Sequence, residues 1–223
     1  PFVVRLNKSG KAVLMDFDKV TWFMPQDDTV DLAITPLELT VGHGYECQYL
    51  TDDAVMMPNR ISGRDIDIGD ICYTVGLFKN FYGEQRNLPL LFTGNVSLFP
   101  PEGERIPCWN AQKGRIEKAE AYLIESHAIK GASGSPVFVR AAYRAEGLLR
   151  DHTPLFADGE VKLMGIFHGA WFAPPDPDVA NTVNAKAADT VPVGLGIVTP
   201  AAKLMELLQR KDIKGLRDKN PKV

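Results

Sequence analysis

Gly131-Ala132-Ser133-Gly134-Ser135-Pro136 runs directly into the apolar Val137-Phe138-Val139, and the reading of these nine residues decides the fold. A hydroxyl that serves as an acyl-transfer nucleophile has to be exposed, close to a base, and within reach of backbone N–H groups aimed at the developing oxyanion. Glycine on both sides of Ser133 meets the backbone demand, because a residue without Cβ tolerates a tight turn and the close approach of a substrate. In such a turn the amides of Gly131 and Ser133 form the oxyanion hole. The same six residues also describe an ordinary Gly/Ser turn entering a strand, and taken alone they do not separate the two.

Outward from this point the chain is a succession of short β-type runs divided by turn formers. Before it come Phe2 to Leu6, Ala12 to Met15, Val20 to Met24, Val30 to Leu37, Asp70 to Phe78, Leu90 to Leu98 and Ala119 to Glu125. Pro100 to Gly114 reads as a polar loop. After the motif come Pro136 to Arg140, a charged insertion Ala141 to Glu160, Val161 to Phe172, a loop Ala173 to Val191, and Val193 to Val198. A helix then closes the pattern: Thr199 caps it, Pro200 suits its first turn, Leu204, Leu207 and Leu208 share a face, and Arg210-Lys211 complement its dipole.

The bulk composition agrees with a globular β protein. Of 223 residues, 45% are hydrophobic and 24% charged, and 19 Gly and 16 Pro are spread along the chain. With 25 Lys+Arg against 28 Asp+Glu, the net charge of -3 gives no electrostatic reason to expect nucleic acid as a partner. No apolar run reaches membrane-spanning length. Cys47, Cys72 and Cys108 form no C-x-x-C pair and have no histidine at zinc-ligand spacing, so they read as unpaired thiols and lean towards a reducing, cytoplasmic compartment. No metal or cofactor is expected.

Gly-x-Ser-Gly-Ser-Pro before an apolar strand resembles the nucleophile segment of trypsin-like, chymotrypsin-fold serine peptidases, whose commoner form has Gly in place of Ser135. Glu120 to Glu125 resembles the strand feeding that turn. Gly69-Asp70 through Val75-Gly76-Leu77-Phe78 resembles the strand that ends the first barrel, and Asn87-Leu88-Pro89 with Gly94-Asn95-Val96 resembles the start of the second. Leu163-Met164-Gly165-Ile166-Phe167-His168-Gly169 looks like the strand flanking the substrate, and Gly194 to Val198 with the terminal helix looks like the domain end. The likeness covers about residues 1 to 212 and is nearest to bacterial trypsin-like and HtrA-type peptidase domains.

The resemblance implies an all-β protein of two six-stranded-type barrels, the first incomplete, with a C-terminal α-helix. Residues 1-85 would carry the remainder of the first barrel, 86-198 the second, 199-212 the helix and 213-223 a tail. It implies a serine endopeptidase acting on polypeptides, with Ser133 as nucleophile. The family order of His, Asp, Ser places the acid at Asp31, in Val30-Asp31-Leu32-Ala33-Ile34. A carboxylate inside a β-run needs a partner, and the family's partner is the N–H of the catalytic histidine. None of His43, His127, His152 and His168 precedes Asp31, so the expectation is that this histidine lies upstream of Pro1. An incomplete barrel would also leave exposed apolar surface near residues 1 to 35.

The primary specificity pocket is expected between His127, Ile129 and Lys130 on one side and Phe167, His168 and Gly169 on the other. Neither segment offers a buried acid, which points to an apolar preference rather than Arg or Lys. Lys130 could form a Ser-Lys dyad, but the surroundings do not match such enzymes, and His43 reads as a loop residue. Two alternatives stand beside the peptidase: a catalytically silent homologue that binds peptides or acts as a scaffold, and an unrelated β-rich protein in which the motif is a turn.

Overall fold

A computed structural model of the chain describes residues 3–37, 39, 41–62, 66–77, 81–110, 113–126, 131–141, 160–173 and 191–219. It is mostly β. Strands β1 (Val3–Lys8) and β2 (Lys11–Asp16) form a hairpin, closed by Ser9 and Gly10, both at positive φ. Strands β3 (Ile71–Gly76) and β4 (Leu90–Leu98) follow, then β5 (Ile106–Asn110), β6 (Arg115–Ala119), β7 (Tyr122–Glu125), β8 (Pro136–Arg140), β9 (Val161–Ala173) and β10 (Val191–Pro200). The α-helices among the described residues are α1 (Pro58–Ser62), α2 (Ala201–Leu208) and α3 (Lys211–Lys219). None of them is long and apolar enough to cross a membrane.

Six strands close into an antiparallel barrel in the order β10-β7-β4-β3-β8-β9, which leaves no free edge within it. Alternation puts Cys72, Val96, Ile124, Val137, Val139, Met164, Phe167 and Val198 inside. Each of the Val, Ile, Met and Phe side chains contributes about 1.5–3 kcal/mol by leaving water. Where two adjacent positions are both buried, the outer one has its own cover. Leu123 packs on the β5–β6 hairpin, and Leu163 packs with Val55 against Ala201 and Met205 of α2. At Gly165 β9 approaches β10 so closely that a Cβ would lie 2.1 Å from the Thr199 carbonyl oxygen.

Several expectations are corrected. The 71–76 strand, assigned from sequence to the first half, pairs with β4 and β8 inside the closed barrel. Among the described residues no second barrel forms. Val20 to Met24 and Val30 to Leu37 are not strands; they share a single antiparallel bridge in which the Phe23 amide donates to Ile34 O at 2.8 Å and the Ile34 amide to Phe23 O at 2.9 Å. Proline at 25 and 36 removes ladder donors, and the Asp27 carboxylate competes by taking bonds from the Thr29 hydroxyl and amide.

The 100–114 loop contains β5, and the run Ala119 to Glu125 is split between the end of β6 and β7. Thr199 belongs to β10 instead of capping a helix, because pairing with β9 continues as far as Pro200 opposite Gly165. The helix is followed by a second one, α3, where a tail was expected, held down by buried Ile213. The insertion 142–159, the loop 174–190 and residues 220–223 lie outside the described residues.

Candidate active site

The segment carrying Ser133 is fixed from both sides. Gly131 and Gly134 take φ of 100° and 87°, in the left-handed region that favours glycine. Between them Ala132 turns inward and joins the barrel core, so Ser133 is left exposed at the tip. The Ser135 amide closes the turn on Ala132 O at 3.0 Å. The Gly134 amide donates to Phe167 O and the Phe167 amide to Ser135 O, both at 2.8 Å, which laces the turn to β9. Gly76 belongs to the same packing: a Cβ there would meet the Ser135 hydroxyl oxygen at 2.2 Å. The amides of Gly131 and Ser133 donate to no acceptor among the described residues.

Asp31 reaches the site from an irregular loop. Buried Val30 and the Phe23–Ile34 bridge fix its backbone. A belt of ion pairs holds the loop before it: Arg105 reaches Asp27 at 2.9 Å and Glu120 at 3.3 Å, Lys113 reaches Asp28 at 2.7 Å and Glu117 at 2.9 Å, and Lys203 reaches Glu120 at 2.8 Å. Such surface pairs contribute roughly 0–1 kcal/mol each, so their effect here is to tie the loop to the β5–β6 hairpin and α2. The Thr29 hydroxyl and then the Thr29 amide hold the Asp27 carboxyl below the usual carboxylate range, against an opposing effect of burial and with a lesser contribution from Arg105.

These elements meet at one cavity of about 450 Å³. Asp31 to Ile34 line it from the loop, Ser133 and Gly134 from the turn, Ile166 to His168 from β9, and Leu204 from α2. The sequence-predicted acid and nucleophile therefore share a cavity. Asp31 is not the buried strand residue that was expected: its side chain is 67% exposed, and its ion-pair partner among the described residues is His168, with Nδ1 3.4 Å from Oδ2.

The expected pocket wall is described in part. His127, Ile129 and Lys130 lie outside the described residues. Phe167 is buried in the barrel core and also lines the cavity, His168 lines it at 21% side-chain exposure, and Gly169 is not among its lining residues. His43 sits in the short 3-10 turn Val41–His43 and is not among the residues lining the cavity. Leu32, Ile34, Ile166 and Leu204 are lining residues that sequence reasoning did not assign to the site. Leu204 carried a signal for helix packing alone.

Cys47, Cys72 and Cys108 are free thiols, and burial pushes Cys72 and Cys108 up to about 11. The arrangement offers an exposed hydroxyl, two backbone amides beside it with no acceptor among the described residues, and a carboxylate and an imidazole 3.4 Å apart at one cavity. No protein-family model matches the chain, and a search of curated proteins finds no match.

Proposed function

We propose that this chain is the Asp- and Ser-bearing part of a serine endopeptidase that cleaves polypeptides through an acyl-enzyme. The observation that carries the reading is the shared cavity: Asp31 and Ser133, far apart in sequence and chosen from different motifs, both line it. In this reading the closed barrel is the Ser-bearing barrel of a chymotrypsin-type fold, and residues 3–62 belong to the incomplete Asp-bearing one.

An imidazole base takes the proton of the Ser133 hydroxyl as its oxygen attacks the scissile carbonyl. Asp31 orients that imidazole and stabilises its charge. The Gly131 and Ser133 amides receive the tetrahedral oxyanion, whose collapse expels the amine with the proton the imidazole returns. Water then releases the acid by the same route. In this reading the base is a histidine, which the family order of His, Asp, Ser would place before Asp31. Apolar lining at Phe167 and Ile166, with no acid among the described residues of β9 facing the cavity, favours small or medium apolar side chains over Arg or Lys.

The test uses the whole gene product in a peptide-library digest and a fluorophosphonate labelling experiment. Cleavage and labelling at Ser133 should both fall by at least about 10³-fold in Ser133→Ala. Undiminished cleavage by that variant overturns the nucleophile. Cleavage confined to Arg and Lys bonds overturns the pocket. A wild-type protein that neither cuts nor labels, yet binds unfolded peptides, establishes the silent peptide-binding homologue instead.

A further inference from the structure

His168 is the extra residue of a β-bulge. Along the β9–β10 ladder, Ile197 pairs with Gly169 and Val198 with Phe167, which leaves His168 without a partner across the ladder. A bulge of this kind breaks the regular alternation and re-aims one side chain, and bulges concentrate beside active sites for that reason. Here Phe167 stays in the barrel core while the next residue carries its imidazole into the cavity, where Nδ1 stands 3.4 Å from Asp31 Oδ2. That is slightly beyond an ordinary N–H···O distance, and rotation of an exposed carboxylate closes it.

The carboxylate needs such a contact. Val30 and the Phe23–Ile34 bridge hold the Asp31 backbone, yet the side chain is 67% exposed and is paired with nothing else among the described residues. Free to change rotamer, it would not present one oxygen to a base in a constant direction. The residue just before His168 is bonded in both directions to the Ser133 turn, through the Gly134 amide to Phe167 O and the Phe167 amide to Ser135 O. One short piece of β9 thus fixes the nucleophile's turn with its backbone and touches the acid with its next side chain.

We propose that His168 is a positioning residue for Asp31. Its Nδ1–H holds Oδ2, which leaves Oδ1 for the imidazole that serves Ser133. This rests on the peptidase reading above and replaces, for His168, the role of a substrate-pocket wall.

Two measurements test it. The first reads the contact without catalysis: nitrogen-15 NMR of the 223-residue chain reports which ring nitrogen of His168 carries the proton in its neutral form. The Nδ1–H tautomer should dominate in the wild type and give way to Nε2–H in Asp31→Ala, because the hydrogen bond at one nitrogen sets the tautomer. The second uses the whole gene product with a peptide substrate. His168→Ala should lower kcat about 10- to 100-fold with KM within about twofold, the scale of a misplacement of about 1 Å. His168→Asn, which keeps an N–H near the Nδ1 position, should recover most of the loss.

A dominant Nε2–H tautomer in the wild type overturns the proposal. So does a raised KM at unchanged kcat, which marks a substrate wall, or a loss in His168→Ala as complete as in Ser133→Ala, which makes His168 the base itself. If Ser133→Ala cuts as fast as the wild type, the peptidase reading fails, while the tautomer measurement still decides whether His168 holds Asp31.

Discussion

Gly134→Ala isolates the backbone conformation on which the nucleophile turn depends. At Gly134 φ is +87°, and a Cβ built there meets nothing within 4 Å. Steric overlap with neighbours therefore contributes nothing, and the cost is that of holding an L-residue in left-handed backbone, about 1–2 kcal/mol. Gly169 is the matched control: its Cβ also enters open space, and its φ is not in the left-handed region. Both substitutions reduce the freedom of the unfolded chain by the same amount, worth about 0.4–1 kcal/mol of stabilisation, so that contribution cancels between them.

The difference between Gly134→Ala and Gly169→Ala should be about 1–2 kcal/mol. For a chain of this size it corresponds to a separation of about 2–8 °C in melting temperature. Urea and thermal unfolding of both variants, followed by circular dichroism, measure it. Gly134→Asn should fall between them, because asparagine tolerates this region better than alanine. Equal stabilities for the two alanine variants within about 0.3 kcal/mol would refute the left-handed turn. The lacing of Gly134 to Phe167, and with it the presentation of the Ser133 amide, would then have to be abandoned.

Two further outcomes are expected. In a thiol-reagent titration of the native protein, half-buried Cys47 should react first, while Cys72 and Cys108 should wait for unfolding, since burial keeps them protonated up to about 11. Because their folded values lie above that of a free thiol, about 8.5, the stabilisation is complete below that pH and is lost as pH rises towards about 11. Chemical unfolding measured across that window checks the sign. Arg105→Ala should weaken the belt behind Asp31. Asp27 is held below its unfolded value, so its contribution is present above about pH 4 and is lost as pH falls through the folded value. The variant should be only slightly destabilised at neutral pH, with the gap to wild type narrowing in acid, as urea titrations at several pH values will show.

What could be read from the chain is what its neighbours in sequence decide. The bounds of β4 and β8 match their sequence-predicted runs, Leu90–Leu98 and Pro136–Arg140, because β-branched and aromatic residues there sit between turn formers. The turn at Ser133 was legible for the same reason: glycine on each side is a local requirement of left-handed backbone. The candidates Asp31 and Ser133 came from motifs equally local.

Elements that owe their form to a distant partner were not legible. The β5–β6 hairpin carries Pro107 and many charges and reads as loop; burial of Ile106, Cys108 and Ala119 against Leu123 and Ile197 makes it a hairpin. Helix α3 is dense in charge, and the burial of its Ile213 is a contact the sequence does not announce. The expected strand around Asp31 fails because its would-be neighbours lie across prolines and an Asp27 turn.

The 71–76 strand carries an unmistakable β pattern, yet its place in the closed barrel depends on which strands lie beside it, β4 and β8, and pairing is not written in alternation. The meeting of Asp31, Ser133 and His168 is of the same kind. Of the three, sequence determined only the frame of Ser133, since the flanking glycines act over a few residues. Tertiary structure alone decided that His168 turns to Asp31, because a bulge is a mismatch between two strands and exists only once Ile197 has paired with Gly169 and Val198 with Phe167.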